Sequence, residues 1–333
     1  MSEIVSIKNN LCSDKIALKW RLTYICNYNC PYCIQVAQKH KESYDGDKLK
    51  EAQIAREKTA STLDKFLAKI NPKGKKIKLE LIGGEVTLLN IIAILKKITD
   101  KNICELSITT NGSKSLDYFY ELADYLHSRD MTFCITFSYH DTQTTFSEYM
   151  YKATELNKIA DEFACEYVSR ADNRDNVLKF VETLEEKGID YKIEPDKTGA
   201  SIIQRMNGEL IAKSNFSNRN KARYEVTLKD CDEKIIEKKY DCLVEMLNDV
   251  EYMPSTLRKS IRSKGLYCTQ GYSYFYIDIN DMVKCPTKDN PSCQTKTDIE
   301  DFEPLEKPIK CIYPACTGCG SMSLYKELPS DFE

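Results

Sequence analysis

The chain predicts an α/β protein built on a parallel sheet, and three observations carry that prediction. Strand-like runs and amphipathic helical runs alternate six times between residues 16 and 196. The strand-like runs repeat apolar residues with a period of two, and the intervening runs repeat them at helical spacing. The residues best suited to chemistry stand after the C-terminal ends of the strands, where parallel α/β folds bind ligands.

Taken in order, Ile16 to Tyr24 forms the first strand, and a cysteine-bearing loop follows it. The polar Lys39-His40-Lys41 leads to a helix with Leu63, Phe66, Leu67 and Ile70 on one face, stopped by Asn71-Pro72-Lys73-Gly74. Ile77, Leu79 and Leu81 alternate in a second strand that ends at Gly83-Gly84-Glu85. Leu88 to Ile98 reads as a helix, and Ile103 to Thr110 as a third strand ending at Asn111-Gly112. Leu116, Phe119, Ala123 and Leu126 mark the next helix. Phe133, Ile135 and Phe137 mark a fourth strand, which leads into Ser138-Tyr139-His140-Asp141. A helix over Phe146 to Ala160 and a fifth strand over Phe163 to Ser169 follow. Val177, Val181 and Leu184 then share a helix face closed by Gly188, and Ile189, Tyr191 and Ile193 alternate in a sixth strand. Pattern alone does not decide whether such repeats curl into a barrel or wind into an open sheet.

After Pro195 the alternation stops. Residues 200 to 260 are charged, Asn215 to Arg223 reads as loop, and Ile235 to Val250 reads as helix. Tyr274 to Ile279, an Asn280-Asp281 turn and Met282 to Cys285 then read as a β-hairpin with Cys268 and Cys285 at its feet. The expected organisation is an N-terminal extension (1–15), a core (16–196), a connecting segment with a helix (197–264) and a small C-terminal unit (265–333).

The 333 residues are 42% hydrophobic and 30% charged, as in an ordinary soluble globular protein. A net charge of −3 gives no sign of a nucleic-acid-binding surface. No apolar run reaches bilayer length, and the N-terminus lacks the features of a signal peptide, so a cytoplasmic location is expected. Fifteen cysteines are many for such a chain. A reducing compartment disfavours disulfides, so the clustered cysteines read as metal ligands. Isolated Cys104, Cys134 and Cys165 lie in apolar or strand-like runs and read as inert buried thiols.

Cys26-Asn27-Tyr28-Asn29-Cys30-Pro31-Tyr32-Cys33 gathers three thiols in eight residues. Four-iron clusters normally take four thiolates, so a loop offering three leaves one iron open to another ligand. A structural zinc site usually has four ligands in two separated pairs, and no partner pair lies nearby. The C-x3-C-x2-C spacing, with Tyr32 before the third cysteine, resembles the signature of the radical S-adenosylmethionine (SAM) enzymes. The resemblance implies a partial (β/α)6 barrel over residues 16 to 196. It also implies a [4Fe-4S] cluster on Cys26, Cys30 and Cys33 whose open iron binds SAM, and reductive cleavage of SAM to a 5′-deoxyadenosyl radical. Gly83-Gly84-Glu85 resembles the family motif that meets the amino group of SAM. Thr109-Thr110-Asn111-Gly112 resembles a third-strand motif of the molybdopterin-biosynthesis and sulfatase-maturing branches. In those branches this turn and a serine ending the fourth strand contact SAM, which implies roles for Thr110, Asn111 and Ser138. His140 is one of three histidines and stands at the strand ends, where it could act as acid, base or substrate ligand. Arg170, past the fifth strand, is a candidate to hold a carboxylate of SAM or of substrate.

Near the C-terminus, Cys311 precedes Cys316-Thr317-Gly318-Cys319. Hairpin feet and a later C-x2-C could close four thiols on one centre, and on spacing alone a zinc ribbon stays open. Beside a radical SAM core the arrangement resembles the twitch domain, a shortened SPASM extension. That implies an auxiliary [4Fe-4S] cluster on four of Cys268, Cys285, Cys311, Cys316 and Cys319, while Cys293 fits no pattern. Cys231 and Cys242 are conceivable hydrogen donors. The implied partners are a small-molecule or carbohydrate substrate, with a peptide as the alternative, and a reductant such as flavodoxin or ferredoxin. A non-catalytic metal-binding protein is the rival from another class.

Overall fold

The computed structural model describes residues 3–9, 15–37, 39–196, 213–215, 224–229, 232–240, 265, 267–313 and 324–325. Strand β1 spans Glu3–Asn9. Strand β2, Lys15–Thr23, buries Ile16, Leu18, Trp20 and Leu22 on one face and turns Lys15, Ala17, Lys19 and Arg21 to the other. Such alternation gives a strand one packed face and one polar face. The two-residue strands β3 (Ile25–Cys26) and β4 (Glu42–Ser43) pair in parallel across the short helix α1 (Ile34–Ala37) and so brace the cysteine loop. Helix α2, Gly46–Ile70, starts where the Asp45 carboxylate accepts from the backbone N–H groups of Asp47 and Lys48. Its Ala60, Leu63, Phe66, Leu67 and Ile70 pack on the apolar face of the sheet.

The repeating part continues with β5 (Lys76–Gly83), a 3-10 turn (Val86–Leu88), α3 (Ile91–Leu95), β6 (Ile103–Thr110) and α4 (Leu116–His127). Then come β7 (Thr132–Tyr139), α5 (Phe146–Ile159), β8 (Glu162–Ser169), α6 (Arg174–Lys187) and β9 (Tyr191–Pro195). A reciprocal cap between Thr145 and Glu148 opens α5, and Gly188, at φ 63°, closes α6. Strands β2, β5, β6, β7, β8 and β9 lie side by side in chain order, every neighbouring pair parallel. Helices cover one face of this sheet. Among the described residues its edges do not close on each other, so the architecture is an open, partial barrel.

The later strands are β10 (Lys213–Asn215), β11 (Tyr224–Lys229), β12 (Ile235–Tyr240), β13 (Tyr267–Cys268) and β14 (Tyr274–Ile277). They are followed by β15 (Met282–Lys284), β16 (Lys296–Asp298), β17 (Ile309–Lys310) and β18 (Leu324–Tyr325). The expected hairpin is present as β14 and β15, and β14 docks parallel to β2, extending the main sheet to ten strands. Phe275 and Phe302 meet Phe66 of α2, with ring centroids 6.1 and 5.9 Å away, so this unit shares the main core.

Three local expectations change. The run from Ile235, read as helix, is extended over Ile235–Tyr240 and pairs with β11, which pairs with β1. A tight turn with Glu233 at φ 64° and the β-branched pair Ile235-Ile236 favour a hairpin there. Residues 241–250 lie outside the described residues. The helix expected over Leu88 to Ile98 is only Ile91–Leu95, because Asn90 caps it late and the preceding turn belongs to the Glu85 site. Asn215, read as loop, ends β10, which pairs antiparallel with β9; residues 216–223 lie outside the described residues.

Candidate active site

The cysteine loop leaves the C-terminal end of β2 and is tied to the strand ends beside it. The Thr23 hydroxyl accepts from the Ile25 N–H at 3.0 Å. Lys41 donates to the Tyr28 carbonyl and, at 3.3 Å, to the Asn29 side chain. Cys26 Sγ accepts from the Tyr28 N–H at 3.4 Å and faces Asn111 Nδ2 at 3.9 Å. Cys30 is 5% exposed, whereas Cys26 and Cys33 are half-buried.

Burial pushes the Cys30 thiol up to about 11, and the neighbouring Cys26 and Cys33 add to the rise. Burial also raises Cys26, with Glu85 and Cys33 contributing. The three sulfurs thus feel one another, and a cation between them would reverse that penalty. Among the described residues no three His, Cys, Asp or Glu side chains converge on a point suited to a single metal ion. In a multi-iron cluster the thiolates bind different irons and need not converge on one point.

Gly83 and Gly84 stand where β5 passes beneath this loop. A Cβ on Gly83 would lie 2.5 Å from the Thr23 carbonyl oxygen, and one on Gly84 only 2.2 Å from that of Ile25. The close approach that requires glycine is therefore to the backbone carrying the cysteines. The Gly84 and Glu85 N–H groups donate to the Thr23 and Ile25 carbonyls at 2.8 and 2.9 Å.

Glu85 is fully buried. One carboxylate oxygen accepts from the Thr87 N–H (3.0 Å), the Thr87 hydroxyl (2.6 Å) and the Thr110 hydroxyl (2.7 Å). The other accepts from the Asn111 N–H at 2.6 Å. Burial raises its pKa, against these four hydrogen bonds. The acid read from sequence as a cofactor contact thus holds the β5 and β6 turns together. Asn111 Nδ2 reaches Asn27 Oδ1 at 3.0 Å, joining the β6 turn to the cysteine loop. Ser138, the penultimate residue of β7, lies on the same polar face.

His140 closes the other side. Its Nδ1 lies 3.4 Å from Cys30 Sγ and 3.2 Å from the Tyr32 hydroxyl. Burial lowers its pKa to about 4, so near neutral pH it is an uncharged imidazole wedged against the loop. Arg170 pairs with two carboxylates. Its two terminal nitrogens grip the Asp141 carboxylate at 3.0 and 2.9 Å, its Nε meets Asp172 at 3.0 Å, and its guanidinium lies 4.5 Å from the Tyr32 ring centroid. Asp141 also accepts from the Tyr167 hydroxyl at 2.6 Å. Burial would raise the Asp141 pKa, but Arg170 and Tyr167 outweigh it and hold the carboxylate below its usual range. The structure therefore brings Tyr32, His140 and Arg170 into one pad, with Arg170 paired to Asp141.

Sequence reading misses Asp141, Tyr167, Thr87 and Asn27 as members of this network. Only Asp141 carries a sequence signal, being charged and next to His140 at a strand end. Downstream, Cys285 is wholly buried in the core, while half-buried Cys268 ends β13 and half-buried Cys311 follows its neighbour β17. Burial raises the Cys293 thiol's pKa, and neighbouring Cys311 adds to the rise. Cys316, Cys319, Cys231 and Cys242 lie outside the described residues.

An open parallel half-barrel with three thiols at one strand end defines a class of cluster-dependent α/β enzymes. Residues 20–195 match the family described as the Radical SAM superfamily. That is more than half of the chain, and the chain belongs to this superfamily, whose cofactors are a [4Fe-4S] cluster and SAM. No curated protein matches it. Among solved structures, hexahistidine-tagged anSMEcpe with bound AdoMet (SAM) is similar at 15% identity and a TM-score of 0.47, over 86% of this chain and 78% of that one. Native anSMEcpe with AdoMet and the Cp18Cys peptide gives 15% and 0.45 over the same shares. Streptococcus suis SuiB gives 13% and 0.36, over 87% of this chain and 64% of that one. Among the described residues no helix is long and apolar enough to cross a membrane.

Proposed function

We propose that the chain cleaves SAM reductively and removes a hydrogen atom from an unreactive C–H bond of a small molecule or carbohydrate, giving dehydrogenation or epimerisation. In this reading Cys26, Cys30 and Cys33 hold the [4Fe-4S] cluster, and the turns after β5, β6 and β7 hold SAM through the Gly83-Gly84 backbone, Thr110, Asn111 and Ser138. When bound, the cluster and SAM supply the 5′-deoxyadenosyl radical; the chain positions the reactants and excludes water from them. Glu85 keeps the β5 and β6 turns in register with the cysteine loop. His140, Tyr32 and the Arg170–Asp141 pair form a firm wall beside Cys30. His140, in contact with Cys30 and Tyr32 through Nδ1, is in this reading the candidate acid, base or substrate ligand beside the cluster.

The observation that carries this reading is the chain of contacts from the cysteine loop to three other strand ends: Asn27 to Asn111, Asn111 to Glu85, and Cys30 to His140. The reading extends to an auxiliary [4Fe-4S] cluster on four of Cys268, Cys285, Cys311, Cys316 and Cys319 in a twitch-like unit over 265–333. It also includes a flavodoxin- or ferredoxin-like reductant and a cytoplasmic location. A peptide substrate is the second reading. It follows from the turn Thr109-Thr110-Asn111-Gly112, which resembles that of the sulfatase-maturing branch.

Anaerobic reconstitution with iron and sulfide, followed by dithionite and SAM, tests the function. The expected products are methionine and 5′-deoxyadenosine. A protein that takes up iron but neither binds nor cleaves SAM would instead be the non-catalytic metal-binding alternative.

A further inference from the structure

Opposite its helix-covered face, the sheet presents a polar wall. Packed parallel barrels fill this space with branched apolar side chains. Here it carries Lys19, Arg21, Glu80, Ser107, Thr136 and Glu166, each partly exposed. Four cations on this wall are paired within it: Lys19 with Glu80 at 2.7 Å, Lys15 and Lys78 with Glu105, and Lys192 with Glu166 at 3.7 Å and with Glu194.

Arg21 differs. Its Nε donates to the Tyr276 hydroxyl at 2.6 Å, and its guanidinium lies 4.9 Å from the Tyr24 ring centroid and 5.9 Å from that of Tyr276. Among the described residues no carboxylate pairs with it. The two tyrosines fix the guanidinium while its terminal nitrogens stay uncommitted. Arg21 is two residues before Thr23, whose carbonyl receives the Gly84 N–H, so it stands just beneath the cysteine loop. A half-buried guanidinium with a fixed plane and no counter-ion among the described residues suits a planar or tetrahedral oxoanion.

We propose that Arg21 is the specificity-determining anchor for a carboxylate or phosphate group of the substrate, oriented by Tyr24 and by Tyr276 of the C-terminal hairpin. The proposal deepens the function above and rests on it for the chemistry, but not for the anion site itself. SAM also carries a carboxylate. Its proposed ligands lie on β5, β6 and β7, whereas Arg21 leans toward β14 on the other side of β2, which favours the substrate as the source.

The test measures binding of two probes, inorganic phosphate and N-acetylglutamate, to the full chain by calorimetry, with SAM titrated separately into reconstituted protein. Arg21→Met should weaken at least one probe about tenfold or more, as expected for loss of charge-assisted hydrogen bonds. Arg21→Lys should recover part of that loss, because it restores charge without the planar fork. Tyr276→Phe, which keeps the charge and guards against misfolding of the first variant, should weaken the same probe a few-fold. SAM affinity should stay within about twofold throughout. Equal probe binding by wild type and Arg21→Met would overturn the proposal, as would a loss confined to SAM. Because the probe comparison needs neither iron nor SAM, failure of the radical reading and failure of the anchor are separately visible.

Discussion

The carboxylate of Glu85 receives four hydrogen bonds in a fully buried position, so its contribution comes through the turns it joins. Glu85→Gln replaces one acceptor oxygen by a donor and sets N–H against N–H on one side. An unsatisfied buried donor costs about 1–3 kcal/mol, and urea unfolding of the variant should show a loss of that size; an unchanged midpoint would contradict the assignment. Gly84→Ala meets backbone at 2.2 Å and cannot be relieved by a rotamer change, so it should lower both the melting temperature and cluster loading. Glu105 lies at the opposite end of the strands. Lys15 bonds it at 3.2 Å and Lys78 bonds it as well. Burial would raise its pKa, but the two lysines outweigh burial and lower it. A depressed folded pKa gives stability that is present above the unfolded value near 4.3 and is lost as pH falls through the folded value. Glu105→Gln should therefore cost on the order of 2 kcal/mol at pH 7. The gap from wild type should shrink as pH drops below about 4, and a gap independent of pH would contradict it.

The hairpin of β14 and β15 shows what local pattern conveys and what it leaves out. Its strands are legible in Tyr274 to Ile279 and Met282 to Cys285, because alternation and the Asn280-Asp281 turn are properties of neighbouring residues. Its docking beside β2 is not, since that depends on pairings such as Arg21 with Tyr276, 255 residues apart. The same reason explains Ile235–Tyr240, where an apolar and charged run suits either a helix or a strand until β11 supplies a partner. Docking of the hairpin is fixed by Arg56, whose side chain is 5% exposed. Arg56 bonds Asp281 and the Ile279 carbonyl, each at 2.7 Å, and Thr59 bonds the other Asp281 oxygen at 2.7 Å. Arg56→Met should speed amide exchange across residues 274–298 at least tenfold while leaving β6 to β8 unchanged. Uniform acceleration would mean that the latch serves the whole core instead.

Across the whole molecule, helices and apolar side chains hold one face of the sheet, and charge, hydroxyls and the cysteine loop occupy the other face and its C-terminal rim. The cysteine loop is legible in sequence because its three thiols fall within eight residues, and the glycine and asparagine turns because they end periodic strands. The Arg170–Asp141 grip and the Arg21 site are not, because each joins side chains from different elements. The most direct test compares iron content and 5′-deoxyadenosine after anaerobic reconstitution of wild type and the combined Cys26→Ala, Cys30→Ala, Cys33→Ala variant. On the proposed reading of one cluster on this loop and one on the later cysteines, iron should fall from about eight to about four per chain, and deoxyadenosine should vanish. Undiminished iron, or deoxyadenosine formed without these three thiols, would contradict the assignment of the loop as the seat of the catalytic cluster.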